Sequence, residues 1–223
     1  VLFGIEKEAD YMAANISMGG LSSEFDLIHE KKNLGRITIN LPGRHNVSNA
    51  LGAISIAHKM GVPVEMIQSS IKSFENVGRR FQLLYKSQEV EILDDYGHHP
   101  TEIASTLETL KEIRSHKKIA IFEPHRFSRT KDCWNEFLHC FNDVDELYMC
   151  PIYPASEAPI SGITSERLVE DINRLHPGLA KTIELKDLDK VIRSNNNSTI
   201  MTLGAGSIGR VIREWVLDND RNE

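Results

Sequence analysis

The stretch KKIAIFEPHRFSRT, residues 117–130, decides the fold. KKIAIFEP reads as a short apolar strand, and PHRFSRT as a polar segment at its carboxyl end, ahead of a helix. The same rhythm recurs on both sides of it. ELYMCPIY (146–153), KTIEL (181–185) and STIMTL (198–203) read as further strands. Helical spacing of apolar residues follows such strands at Ile103, Leu107, Leu110 and Ile113, and at Trp134, Phe137, Leu138 and Phe141. Strands alternating with helices predict a mainly parallel α/β sheet with crossover connections. Upstream, FQLLY (81–85) and VEILDDY (90–96), separated by KSQ, predict a hairpin that opens this domain.

The first forty residues differ. Phe25 and Leu27 alternate with polar residues, KKNLG (31–35) supplies a turn, and Ile37 and Ile39 alternate again, which predicts antiparallel β structure. After LPGRHN (41–46), Val47, Ala50, Leu51, Ile54 and Ala57 recur at helical spacing until Gly61. A second helix follows Pro63, with Ile67, Ile71 and Phe74 on one face. ENVGRR (75–80) reads as a linker. The expected domains are 1–77 and 78–223.

The chain has 223 residues, a formal net charge of -6 and three cysteines. An acidic balance argues against a general nucleic-acid or anionic-membrane binder, so any basic site is local. No apolar run approaches the ~20 residues of a bilayer span, and the start VLFGIEKEAD lacks the pattern of a signal peptide. A cytoplasmic protein with reduced thiols at Cys133, Cys140 and Cys150 is expected.

Ligands of an open parallel sheet bind beyond the carboxyl ends of its strands. DDYGHHP (94–100), PHRFSRT (124–130), YPASE (153–157) and GAGS (204–207) all fall there, so they are expected along one sheet edge. DDYGHHPTE gathers two carboxylates, a phenol and two imidazoles before a helix that Pro100 opens. Its plainer reading is an acidic loop with Asp or Thr101 as helix cap. Adjacent histidines without further spaced ligands do not specify a metal, and none is assigned. Arg126 and Arg129, with His125, suit a bidentate anion site, although either arginine alone reads as a solvated turn residue. Gly204–Gly209, GAGSIG, has the glycine spacing of a dinucleotide fingerprint, but it lies in the last strand–helix unit with only Asp218 and Asp220 of a polar tail behind it. A tight turn is preferred, and a dinucleotide-dependent oxidoreductase is the competing reading, with a non-catalytic binding module as a third. Asn46 and Asn49 stand at a helix start, where an asparagine serves as a cap or offers its amide to a purine.

In this order and spacing, the segments resemble the Mur ligases. GRHNVSNALGA (43–53) is similar to the GxHNxxNxxAA segment of that family's central ATPase domain, and NVGRRFQ (76–82) to its junction with the carboxyl-terminal domain. DDYGHHPTEI, PHRFSRT and TLGAGSIG resemble the pattern of the member that adds L-alanine, over about Leu41 to Val216. A member that recycles a tripeptide shares the DD-HHP region but differs at PHRFSRT. Gly97 stands where alanine is common, and Glu123 where glutamine is common.

The resemblance implies a Rossmann-like carboxyl-terminal domain, its sheet covered by helices on both faces, after part of a central ATP-binding domain. It also implies ATP-dependent joining of L-alanine to UDP-N-acetylmuramate through an acyl phosphate, in peptidoglycan synthesis. Asn46 would contact adenine, Arg80 the terminal phosphate region and Asp95 the ribose. His98, Arg126 and Arg129 would face the reaction centre and the alanine carboxylate. No GxxGK[ST] segment is present, so the phosphate loop and the Mg²⁺ ligands are expected upstream in a longer protein, and this stretch alone is expected to be inactive.

Overall fold

Along Ser22–His29 and Lys32–Ile39 the side chains of Phe25, Leu27, Ile37 and Ile39 are buried while their neighbours are more open, the period-two pattern of a sheet with one covered face. The computed structural model describes residues 1–74, 77–114 and 116–220. They fall into two compact units, Val1–Val77 and Gly78–Glu223.

In the first unit, β1 (Phe3–Ile5), β2 (Tyr11–Gly19), β3 (Ser22–His29) and β4 (Lys32–Ile39) form one sheet in chain order. β1 runs parallel to β2, and the other pairs are antiparallel. The turn between β3 and β4 is not KKNLG. It lies at Glu30 and Lys31, both left-handed with φ 47° and 63°, the backbone that a two-residue hairpin turn requires. Lys32 onward is already strand. Gly35 instead adjoins a bulge, where Leu27 pairs with Gly35 but Ile28 with Asn33. Helices α1 (Arg44–Lys59) and α2 (Val64–Lys72) cover the sheet. Val47, Leu51, Ile54 and Ile67 pack with Phe25, Leu27 and Ile37 in one core. Phe74 lies beyond α2 and is exposed. Glu75 and Asn76, within the expected linker, lie outside the described residues.

The second unit is built on six strands: β5 (Gln82–Lys86), β6 (Val90–Asp95), β7 (Lys117–Phe122), β8 (Glu146–Met149), β9 (Ala180–Thr182) and β10 (Ser198–Leu203). Their order is β5-β6-β10-β7-β8-β9, parallel except for the β5–β6 hairpin. All six residues of β10 are buried, as expected of a central strand covered on both faces. Ile119 and Ile121 pack with residues of α7 (Leu188–Arg193) and α8 (Ile208–Asp220). Phe122, one residue out of phase with them, meets Phe137 and Phe141 at 5.5 and 5.4 Å between ring centres. Burying a side chain of that size contributes about 1.5–3 kcal/mol. The remaining helices are α3 (Pro100–Ile113), α4 (Phe127–Asp132), α5 (Trp134–Phe137) and α6 (Ser165–Leu175).

Several expectations shift: the strands expected over KKIAIFEP and ELYMCPIY end at Phe122 and Met149. The helix expected through Phe141 ends at Phe137, and Phe141 reaches the core from the segment after it. KTIEL pairs only through Thr182, with Leu185–Asp187 turning as a short 3-10 segment. Asp218 belongs to α8 rather than to a frayed tail. No helix of the described residues is long and apolar enough to cross a membrane.

Candidate active site

Register brings the loops together. Leu203 of β10 pairs with both Asp95 of β6 and Phe122 of β7, and Phe122 pairs with Met149 of β8. Segments 96–99, 123–126, 150–157 and 204–207 therefore leave the sheet side by side at its carboxyl edge.

A row of rings runs along that edge. Tyr96 and His98 meet edge to face at 5.4 Å, His98 and His125 are 6.0 Å apart, and His125 stacks on Tyr153 at 5.5 Å. Tyr96 and Tyr153 are each 38% exposed. The Arg79 guanidinium lies 4.9 Å from the centre of the Tyr96 ring, within cation–π range.

The two aspartates of β6 support the edge from below. Asp94 is fully buried and pairs with Arg79 at 3.0 Å and Arg213 at 3.4 Å, while the Thr202 hydroxyl donates to it. Asp95 is 5% exposed, and both its oxygens are engaged: the Phe81 N–H donates to one at 2.8 Å and the Gly97 N–H to the other at 2.7 Å. Burial raises its carboxyl above the usual range, although those two N–H groups and Arg80 pull the other way. Arg79 and Phe81 have left-handed backbones, with φ 63° and 46°, and Arg79 also donates to the Gly204 carbonyl. Asp94 and Asp95 thus pin the turn that presents Arg80, which is exposed on the surface. Asp95, the position expected at a ribose, thus accepts a backbone N–H at each of its oxygens.

The cap of α3 is neither an aspartate nor Thr101. His99 accepts from the Thr101 N–H, and Glu102 accepts from the N–H groups of His98 and His99 at 3.1 and 3.3 Å. Burial would raise the Glu102 carboxyl, but those hydrogen bonds outweigh it and hold the group below its usual range. Glu102 also lies 3.7 Å from His98 Nδ1.

Beyond β7, Arg129 Nη1 donates to His125 Nδ1 and to the His125 carbonyl, both at 3.1 Å. Arg126 has φ 75°, and its N–H donates to the Tyr153 carbonyl at 2.8 Å. Burial first, then Arg129, His98 and Arg126, lower the His125 imidazole below its ordinary range; Glu157 opposes them. Glu157 is itself tied to Ser128, whose hydroxyl and N–H donate to it at 2.6 and 2.9 Å. The edge thus gathers His98, Arg126 and Arg129, singled out in the sequence, around His125. Arg79 joins them from the expected linker, and Tyr153 and Glu157 from YPASE, a segment expected along this edge in which neither residue is singled out by the sequence.

The glycine-rich turn carries its own anion. Glu123 is 2% exposed; the Ser207 hydroxyl donates to it at 2.6 Å and the Ile208 N–H at 3.0 Å. A carboxylate therefore occupies the start of α8, where a dinucleotide would need to set its pyrophosphate, and this disfavours the oxidoreductase reading.

In the first unit, Asn46 Nδ2 donates to the Pro42 carbonyl at 2.8 Å. The same residue lines a slot of about 190 Å³ with Asn49, Ala50, Ala53, Leu41 and Phe74. Its walls are almost wholly apolar, which suits a flat base. Among the described residues, no three His, Cys, Asp or Glu side chains gather as a metal site. All three cysteines are free, and burial pushes the thiols of Cys140 and Cys150 far above their usual range. Cys133 is partly exposed, 3.7 Å from His99 Nε2.

Comparison with known proteins yields two family matches: "Mur ligase middle domain" over residues 1–57 and "Mur ligase, glutamate ligase domain" over residues 79–206. A UDP-N-acetylmuramate–L-alanine ligase of Geobacter sp. (strain M21) is 39% identical over 215 residues, 94% of this chain and 46% of that protein. One of Solibacter usitatus (strain Ellin6076) is 38% identical over 226 residues, 100% of this chain and 48% of that protein. The crystal structure of the UDP-N-acetylmuramate–alanine ligase of Thermotoga maritima superposes with a TM-score of 0.83 at 25% identity, covering 99% of this chain and 48% of that one. The chain spans about half the length of the curated relatives it matches. With one family domain matched across more than half its residues, and relatives identical at well over a third of positions, the chain belongs to the Mur ligase family.

Proposed function

We propose that this chain is part of a cytoplasmic, ATP-dependent ligase that joins L-alanine to UDP-N-acetylmuramate in peptidoglycan synthesis. In this reading Val1–Val77 belongs to the ATP-binding domain, and Gly78–Glu223 is the domain that receives the amino acid. The observation that carries it is the meeting of His98, His125 and Arg129 at the carboxyl edge of one parallel sheet. A small zwitterion needs cationic donors for its carboxylate and a proton acceptor for its ammonium group, and that edge holds both kinds of group.

The chemistry follows from the electrophile. A free carboxylate resists attack, so the sugar's lactyl carboxylate first takes the terminal phosphoryl group of ATP. The alanine amine then attacks the acyl carbon, the amide C–N bond forms and phosphate leaves. This chain's part is to position. Arg126 and Arg129 hold the amino-acid carboxylate, Arg80 faces the phosphate being transferred, and Asn46 with its slot holds adenine. Asp95 acts on the nucleotide side through the turn it fixes. Magnesium accompanies ATP in such ligases; the described residues supply no ligand set for it, and no step is assigned to it.

The test is kinetic, on the full-length protein, following phosphate release that depends on both alanine and UDP-N-acetylmuramate. Removing a hydrogen-bonding charge should cost about 2 kcal/mol, so Arg126→Ala and Arg129→Ala should each raise KM for alanine about 30-fold. Asn46→Ala should instead raise KM for ATP. Unchanged alanine kinetics in both arginine variants would remove the carboxylate assignment, and turnover with a tripeptide in place of alanine would move the protein to the recycling branch.

A further inference from the structure

A carbonyl oxygen can only accept a hydrogen bond and a guanidinium can only donate one, and the two histidines of the edge each face one of them. His98 Nδ1 lies 3.0 Å from the Tyr96 carbonyl oxygen. Nδ1 therefore carries the hydrogen, and in the neutral ring Nε2 is a lone pair. His125 Nδ1 lies 3.1 Å from Arg129 Nη1. That guanidinium always bears its protons, so Nδ1 is the lone pair and Nε2 carries the hydrogen. The rings stand 6.0 Å apart in opposite tautomers, one offering an acceptor at Nε2 and the other a donor.

The surroundings suit those roles. Around His98 stand Tyr96 on its own loop, Glu102 on α3 with Oε2 3.7 Å from Nδ1, and His125 on the β7 loop. Glu102, on which Arg80 also acts, stays ionised to low pH, so a proton gained at His98 meets a negative neighbour. Around His125 stand Arg129, Arg126, His98 and Glu157, and their balance with burial favours the uncharged ring.

Building on the ligase reading, we propose that the two rings form a matched pair that reads an α-amino acid by its two ends: His98 Nε2 takes a proton from the ammonium group, and His125 Nε2–H donates to the carboxylate. In the transfer the ammonium N–H bond breaks, its electron pair stays on the amine nitrogen, and a new Nε2–H bond makes His98 an imidazolium beside Glu102. The freed amine is then the nucleophile. Arg129 spends Nη1 on His125 and keeps Nη2 for the same carboxylate. His98 is thus a catalytic acid–base residue, and Arg129 acts on His125 as a positioning residue by fixing its tautomer.

Nitrogen NMR of ring-labelled histidine in the full-length protein, without substrates, tests the pairing directly. Above the titration of both rings, His98 should be protonated at Nδ1 and His125 at Nε2; the same tautomer at both, or the reverse pair, overturns the proposal. His98→Asn keeps a donor at the Nδ1 place but no titrating nitrogen. It should lower kcat about 100-fold near neutrality with KM for alanine within about threefold, and the deficit should shrink as rising pH frees the amine. His125→Gln keeps an N–H at the Nε2 place and should hold KM within about fivefold, where His125→Phe should raise it about 30-fold. A pH-independent deficit in the first variant, or equal KM in the last two, also overturns the proposal. A wild-type protein that ligates no amino acid sinks the ligase reading and the amino-acid roles with it, while opposite tautomers would still be seen in the spectra.

Discussion

Glu123 directly follows β7, almost out of reach of solvent, and its two oxygens take the Ser207 hydroxyl and the Ile208 N–H. It binds the last strand–helix turn to the centre of the sheet, and its charge faces the positive end of the 13-residue helix α8. Glu123→Ala would leave two donors without a partner in a buried place, at a cost of about 1–3 kcal/mol. Glu123→Gln keeps one acceptor and should lose less. Urea-unfolding midpoints at an unchanged denaturant slope measure both, and equal stability of the two variants would show that the oxygens hold nothing. The sequence marks Glu123 as part of EPHR but not its role, because the partner lies 84 residues away and spacing carries no information over such a distance. His98, Arg126 and Arg129 are legible for the opposite reason: each stands in a dense polar segment directly after an apolar strand. Tyr153 stands in YPASE, which the strand pattern does place at this edge, but a lone aromatic there, like one arginine of the Arg79–Arg80 pair, carries no chemical mark of its own.

Strands were legible wherever both faces are buried. STIMTL matches β10 residue for residue, while KKIAIFEP runs two residues beyond β7, which ends at Phe122; a short, largely apolar stretch bounded by polar segments admits few other fates. KTIEL was placed less well. β9 is a three-residue edge strand, Ala180–Thr182, with one strand neighbour, so pairing rather than pattern sets its limits. At the hairpin of β3 and β4, glycine drew the expected turn to KKNLG, whereas Glu30 and Lys31 accept the left-handed backbone themselves. The GAGS turn behaves as glycine does when it is indispensable. Gly204 has φ 141°, and a Cβ there would stand 2.7 Å from the Glu123 carbonyl oxygen, a backbone atom that cannot move aside. Gly204→Ala should therefore destabilise by about 1–3 kcal/mol, a fall in Tm of several degrees. A thermal midpoint equal to wild type would mean that the turn has room for a side chain.

Across the whole molecule a net charge of -6 coexists with a basic edge on one sheet, and stability against acid reports how those charges are held. Glu146 on β8 is drawn down to about 2, first by the hydrogen bond from the Lys117 ammonium at 2.6 Å; burial opposes this, and the Tyr148 hydroxyl, Lys117 again and Lys181 add to it. Glu91, Asp145 and Glu102 are lowered as well. A carboxyl whose folded pKa is depressed stabilises the fold above its unfolded value and loses that contribution as pH falls through the folded one. For Glu146 the window runs from 4.5 down to about 2. His125 acts earlier: its folded pKa lies below 6.5, so on acidification the unfolded chain takes up that proton first and stability begins to fall from there. Urea midpoints should therefore decline in two stages, gently below about pH 6.5 and more steeply below about pH 4.5. Glu146→Gln should flatten the lower stage and leave the upper unchanged, whereas His125→Gln should do the reverse. If Glu146→Gln followed the wild-type curve through the acid limb, the Lys117–Glu146 pair would be contributing nothing to the fold, as many partly exposed pairs do not.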